Sequence, residues 1–250
     1  MKHENNNLAI LIDADNVTPK VADGLFAEIA KYGTASVKRI YGDWTKPALK
    51  GWKDCLLEHS IQPIQQFAYT VGKNSTDSAL IIDAMDLLYS ARFSGFCIVS
   101  SDSDFVRLAT RIREQGLTVF GFGERKTPRP FIAACDRFVY FDILNGQRVA
   151  DGSEDSLPTE AKDISENSAK SAPPIDGRLR KMLKNAIEAT SEDDGTSQLS
   201  RIGSHLAKQS PDFDSRNYGY KQLSALVEAS GIANVKRVGN NPTHIIVSLK

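Results

Sequence analysis

FCIVSSDSDFVRLATRIREQGLTVFGF, residues 96–122, holds the architectural unit of the chain's first half. It opens on apolar residues with no polar face, as a strand covered on both sides requires. The strand runs into Ser100-Ser101-Asp102-Ser103-Asp104. Phe105, Leu108, Ala109 and Ile112 then recur at the spacing of one helical face. LTVFGF, 117–122, reads as a second strand. Two strands joined through a helix pair in parallel within an α/β sheet.

The same unit repeats outward from this segment. LAILID (8–13), SVKRIYGD (36–43), IQPIQQF (61–67) and RFVYFD (137–142) read as further strands. Thr18-Pro19, Lys46-Pro47 and Thr127-Pro128 place proline near the first turn of the intervening helices. Within 76–92, Leu80, Ile81, Ala84, Leu87 and Leu88 trace another helical face. The expected fold of residues 1–145 is a three-layer α/β domain on a parallel sheet. Residues 146–175 are polar, acidic and poor in large apolar side chains, so they read as a flexible linker. In 176–250 three helical faces follow, marked by Leu179, Leu183 and Ile187, by Leu199, Ile202 and Leu206, and by Leu223, Leu226 and Val227. IANVKRVG and THIIVSLK then read as strands joined through Gly239-Asn240-Asn241-Pro242, which completes the outline of a winged helix.

Bulk properties narrow the class. No apolar run in the 250 residues approaches the ~20 needed for a membrane span. The opening MKHENNNLAI lacks the apolar core of a signal peptide, so a cytoplasmic protein is expected. Cys55, Cys97 and Cys135 have no metal-ligand spacing and read as buried free thiols. The net charge is zero, which leaves no global footprint for nucleic acid. Residues 173–250 are mildly basic, 11 Lys+Arg against 8 Asp+Glu, a weak pointer to an anionic partner.

The chemistry sits at strand ends. In an open parallel sheet the carboxyl ends of the strands share one edge, where ligands bind. That edge receives Asp13, Asp77, Asp102 and Asp104 from three separate segments. Any one of these aspartates, taken alone, reads better as a helix cap or turn residue. Their convergence on one edge reverses that preference, because crowded carboxylates repel unless a cation lies between them. An all-oxygen set suits Mg²⁺ or Mn²⁺. Asn16 adds a neutral oxygen or amide donor for a water or phosphate. Asp83 lies six residues past Asp77, about 240° around an ideal helix, so it should bond a neighbouring loop behind the site. Asp15 reads as solvent or turn. Lys46, Lys50, Lys53, Lys73, Arg125, Lys126 and Arg129 rim the same edge, as a site for a polyanion requires, although a solvated rim fits equally well. Trp44 among them either stacks a base or covers the sheet end. Trp52 fits a core face with Leu49 and Leu56, and His59 reads as structural.

Several motifs together carry a resemblance. IDADNV (12–17), YGDW (41–44), GKNSTDSALIIDAMDLLY (72–89), SSDSDF (100–105) and GFGERKTP (121–128) are similar to the LabA-like branch of the NYN family, which belongs to the PIN-like nucleases. The resemblance covers residues 8 to about 142. It implies Mg²⁺- or Mn²⁺-dependent hydrolysis of RNA, expected to be endonucleolytic on single strands. Asp13, Asn16, Asp77, Asp102 and Asp104 are implied as catalytic, the four aspartates among them as metal ligands, with Asp83 matching the family's second helix aspartate. Residues 176–249, through Phe213-Asp214 and Tyr218-Gly219-Tyr220, resemble the OST-HTH or LOTUS domain, which implies an RNA- or protein-binding adaptor. Arg216, Tyr218, Lys221, Lys236 and Arg237 are its candidate RNA contacts. Two rivals stand beside this reading. One is a haloacid-dehalogenase-type phosphatase with Asp13 as nucleophile, which lacks its lysine in the expected context. The other is a non-cleaving RNA-binding adaptor.

Overall fold

The computed structural model describes residues 6–67, 75–145, 175–238 and 244–250. The chain forms two compact units, Met1–Asn145 and Gly146–Lys250. Most of the expected linker and the turn Gly239-Asn240-Asn241-Pro242 lie outside the described residues.

In the first unit β1 (Asn7–Asp13), β2 (Thr34–Gly42), β3 (Gln62–Gln65), β4 (Gly95–Val99), β5 (Thr118–Gly123) and β6 (Arg137–Tyr140) form a six-stranded sheet in the order β3-β2-β1-β4-β5-β6. Every neighbouring pair is parallel. Ala9 and Leu11 of β1 enter one core while Leu8, Ile10 and Ile12 enter the other, as a period of two across a sheet dictates. Helices α3 (Ser75–Tyr89), α4 (Val106–Glu114) and α5 (Arg129–Ala134) supply the first core, through Leu80, Ala84, Leu108, Ile112 and Phe131. Helices α1 (Ala22–Ile29) and α6 (Phe141–Asn145), with the 3-10 turn Pro47–Trp52 before α2 (Lys53–Glu58), supply the second, through Leu25, Phe141, Leu144, Leu49 and Trp52. These are the three layers that the uninterrupted apolar strands call for.

Two details differ from the reading of the sequence. The last strand ends at Tyr140, because Phe141 starts α6 and buries Phe141 and Leu144 against the second core. Cys55 is half-buried rather than buried, while Cys97 and Cys135 lie inside.

The second unit orders as α7 (Gly177–Thr190), β7 (Thr196–Gln198), α8 (Leu199–Gln209), a 3-10 turn (Ser215–Tyr218), α9 (Leu223–Ser230), β8 (Ala233–Val238) and β9 (His244–Leu249). Its antiparallel sheet runs β7-β9-β8 around a core that includes Leu183, Ile187, Ile202, Leu206, Leu226 and Val247. The strand β7 is additional to the expected hairpin. Among the described residues no helix is long and apolar enough to cross a membrane.

Candidate metal centre

The strand order reverses between β1 and β4, which opens a crevice at their carboxyl ends. Asp13 closes β1 and is fully buried. Its Oδ2 accepts hydrogen bonds from Asn16 Nδ2 at 2.7 Å and Ser100 Oγ at 2.8 Å. Its Oδ1 accepts from the Asp15 backbone N–H at 3.1 Å. Burial pushes the Asp13 carboxyl up from the ordinary range, and these three donors oppose that push. The amide nitrogen of Asn16 is therefore committed to orienting Asp13.

Ser100, directly after β4, does two things. Besides donating to Asp13, its Oγ accepts the Asp102 N–H at 3.1 Å. Asp102 Oδ1 in turn accepts from the Asp104 N–H at 2.9 Å and so caps the 3-10 turn Ser103–Phe105. Phe105 anchors that turn in the first core. Gly123 is required beside it: a Cβ there would stand 2.8 Å from the Ser100 carbonyl oxygen and 2.7 Å from Thr127 Oγ1. The effect is to hold Asp102 and Asp104 against Asp77 in the first turn of α3. Oxygens of Asp77, Asp102 and Asp104 lie within 4.8 Å of one another.

Charge crowding is visible on Asp77, whose pKa is pushed up to about 6 by burial and by the charges of Asp13, Asp102, Asp104 and Asp15. Three carboxylates at this spacing are costly alone and are well matched to a hard divalent cation. Asp13 is not one of the three, but it exerts the largest single charge effect on Asp77.

A difference in stability between two replacements follows. Asp77 has its folded pKa raised above the unfolded value of 3.8, so the chelated protein should lose stability as pH rises from about 4 through about 6. Asp77→Asn should remove that pH-dependent loss in thermal melts recorded with chelator. Asp13→Asn should instead destabilise the protein by about 1–3 kcal/mol, because an amide nitrogen would face donors that now end on its carboxylate. Equal behaviour of the two variants would contradict this account of the crevice.

The remaining candidate residues fall around this centre in different ways. Asp83 receives hydrogen bonds from Arg39 Nη1 and Tyr41 Oη on β2, so its partners lie on a strand and not on a loop. Asp15 accepts from Thr76 Oγ1 at 3.3 Å and lies 3.9 Å from Lys46 Nζ. It thus braces the residue before Asp77, a link that its exposed position in the turn did not reveal. Trp44 donates its indole N–H to Ile64 O at 3.1 Å and packs on the second core, which favours covering the sheet end. Arg125 pairs with Asp142 at 2.8 Å and lies over the Tyr140 ring. Lys126 pairs with Glu124 at 2.9 Å. Lys50, Lys53 and Arg129 are exposed, and Lys73 lies outside the described residues. In the second unit, Tyr218 packs at the core edge beside Phe213, Arg216 is paired with Asp214, and Lys221 is exposed.

A second acidic group, Asp23 and Glu58 with His59, lies at α1 and α2. His59 stacks on Phe26 and its Nε2 is 3.0 Å from Asp23 Oδ1, which accounts for it as structure.

Comparison with known proteins adds the following. The model of the NYN domain matches residues 7–144, and that of the OST-HTH/LOTUS domain matches residues 171–245. No curated protein matches the chain. A crystal structure of a protein of unknown function from Vibrio parahaemolyticus is 19% identical with a TM-score of 0.48, covering 56% of this chain and 96% of that one. A solution structure of an uncharacterized protein from Nitrosomonas europaea is 34% identical with a TM-score of 0.28, covering 37% and 92%. A solution structure of a segment of a Chromobacterium violaceum protein is 34% identical with a TM-score of 0.26, covering 31% and 86%.

Proposed function

Because the chain belongs to the NYN family, with a LOTUS domain after the PIN-like unit, we propose that it is a ribonuclease that hydrolyses single-stranded RNA with Mg²⁺ or Mn²⁺. The observation that carries this reading is the trio Asp77, Asp102 and Asp104, with oxygens within 4.8 Å of one another at the sheet's switch point. These three would hold the ion. When bound, such an ion neutralises charge on a phosphodiester oxygen and lowers the pKa of a water.

The protein's own groups prepare that site. Asp13, fixed by Asn16, Ser100 and the Asp15 N–H, holds a carboxylate of defined orientation behind the trio. Asp102 keeps the 3-10 turn in register, so two of the three carboxylates move as one unit. Thr76 and Asp15 pin the start of α3 and with it Asp77. Lys50 stands exposed on the rim, available to the backbone of a polyanion, and Lys46 is held beside it only by a long, exposed pair with Asp15. The LOTUS unit supplies a second RNA-binding surface on the same chain, which raises affinity through effective concentration.

The test is a gel of mixed-sequence single-stranded RNA incubated with the full chain and Mn²⁺, Mg²⁺ or excess chelator. Cleavage with either ion and none with chelator is expected. Undiminished cleavage in chelator would remove the metal from the mechanism. Binding without cleavage under every ion would make the protein an RNA-binding adaptor.

A further inference from the structure

In the second unit, two of the five candidate RNA contacts, Arg216 and Tyr218, are committed elsewhere, while Lys221, Lys236 and Arg237 are exposed. Arg216 reaches Asp214 through Nε at 3.0 Å and Nη2 at 2.7 Å, and Tyr218 packs at the core edge beside Phe213. A different surface is better furnished. We propose that the cleft between the end of α7 and the outward face of α8 is where this unit grips the RNA phosphate backbone. The proposal rests on the reading of the unit as RNA-binding and adds the place and the residues.

The cleft has a volume of about 540 Å³. From α8 it is lined by Ser200, Arg201, Ser204, His205 and Lys208, a stripe at one- and four-residue spacing. The opposite face of the helix, through Ile202 and Leu206, is buried in the core, so the stripe is held rigidly. All five residues carry hydrogen-bond donors and none is acidic, which suits an anion.

The other wall is the carboxyl end of α7, whose carbonyls would ordinarily repel a phosphate. Here Thr190 Oγ1 donates to Ala186 O at 2.7 Å and Ser191 Oγ donates to Ile187 O at 2.7 Å, which takes up two carbonyls of the last turns. His205 Nε2 is buried and has no hydrogen-bond partner among the described residues. Arg201 Nη1 contacts Glu192 Oε1 at 2.6 Å in an exposed pair, a weak interaction that a phosphate can displace. Arg201 and Lys208 stand about 10 Å apart along the helix axis, a separation suited to a run of phosphates more than to one small anion.

The test uses the full chain in excess chelator, so that RNA stays intact. A mixed-sequence single-stranded oligoribonucleotide is titrated while backbone amide signals are followed by NMR and affinity by fluorescence anisotropy. The expected shifts cluster at 200–208 and at Thr190 and Ser191. Arg201→Ala combined with Lys208→Ala, both exposed positions, should weaken binding about tenfold and reduce the slope of log affinity against log salt by about 1.4. Shifts confined to β8 and β9, or an unchanged salt slope in the double variant, overturn the assignment of the cleft while leaving this unit an RNA binder. Shifts confined to the first unit overturn the RNA-binding reading itself and direct attention to a protein partner.

Discussion

Asp102→Asn should lower the rate of RNA cleavage at saturating Mn²⁺ by at least about 10²-fold without unfolding the protein. Asparagine keeps the Oδ1 that now accepts the Asp104 N–H, and it caps a helical turn as well as aspartate does. What it loses is one of three charges facing a shared point. In the chelated protein that loss relieves repulsion, so the melting temperature should stay level or rise. Added Mg²⁺ should raise the wild-type midpoint more than the variant's, because stabilisation by a ligand grows with its affinity for the folded state. Initial rates and thermal melts on the same preparations check both halves. A variant that cleaves at the wild-type rate places the reacting centre elsewhere.

Much of this arrangement is written into runs of residue types. Leu8–Ile12 and Phe96–Val99 are apolar without alternation, and only a strand covered on both faces buries them all. A parallel sheet then sends Asp13 and Asp102 to the same edge whatever the strand order. The order itself, and hence the switch point between β1 and β4, depends on pairing between distant segments and is not written locally. The run Arg137–Asp142 shows a second limit: RFVYFD is apolar enough for a strand throughout, and only packing against Leu144 and its neighbours turns Phe141 into a helix start. β7 spans three residues, too short for any period to register.

Within the centre, the charged residues are legible and the neutral ones that orient them are less so. Ser100 looks like an ordinary small residue after a strand, yet it links Asp13 to the turn that carries Asp102 and Asp104. Its importance is a matter of where two strand ends meet. The angle of Asp83 on α3 turns it away from Asp77 toward β2, behind the site. Its partners could not be inferred, because Arg39 and Tyr41 belong to a strand whose position over α3 is set by the sheet order.

Asp83→Ala should accordingly be among the most destabilising single changes near the centre, at about 2–4 kcal/mol. Tyr41 is fully buried, and both its burial and its bond to Asp83 hold its phenol above the ordinary range, so it stays protonated and donates. Removing Asp83 takes away the acceptor of that hydroxyl. It also leaves the half-buried guanidinium of Arg39 without its carboxylate, and Arg39 Nε has no partner among the described residues as it stands. The carboxylate side chain joins α3 to β2 about 9 Å along the helix from Asp77, so its loss should also loosen the start of α3 and lower cleavage. Urea unfolding in chelator measures the first effect. Replacing the pair together, Arg39→Met with Asp83→Leu, should recover much of the stability, since even a half-buried ion pair costs desolvation that apolar packing avoids. It should not restore Tyr41's lost acceptor, so recovery stops short of the wild type until Tyr41→Phe is added. A single Asp83→Ala variant as stable as the wild type would mean that Arg39 and Tyr41 find solvent without it, and that α3 is held by its apolar face alone.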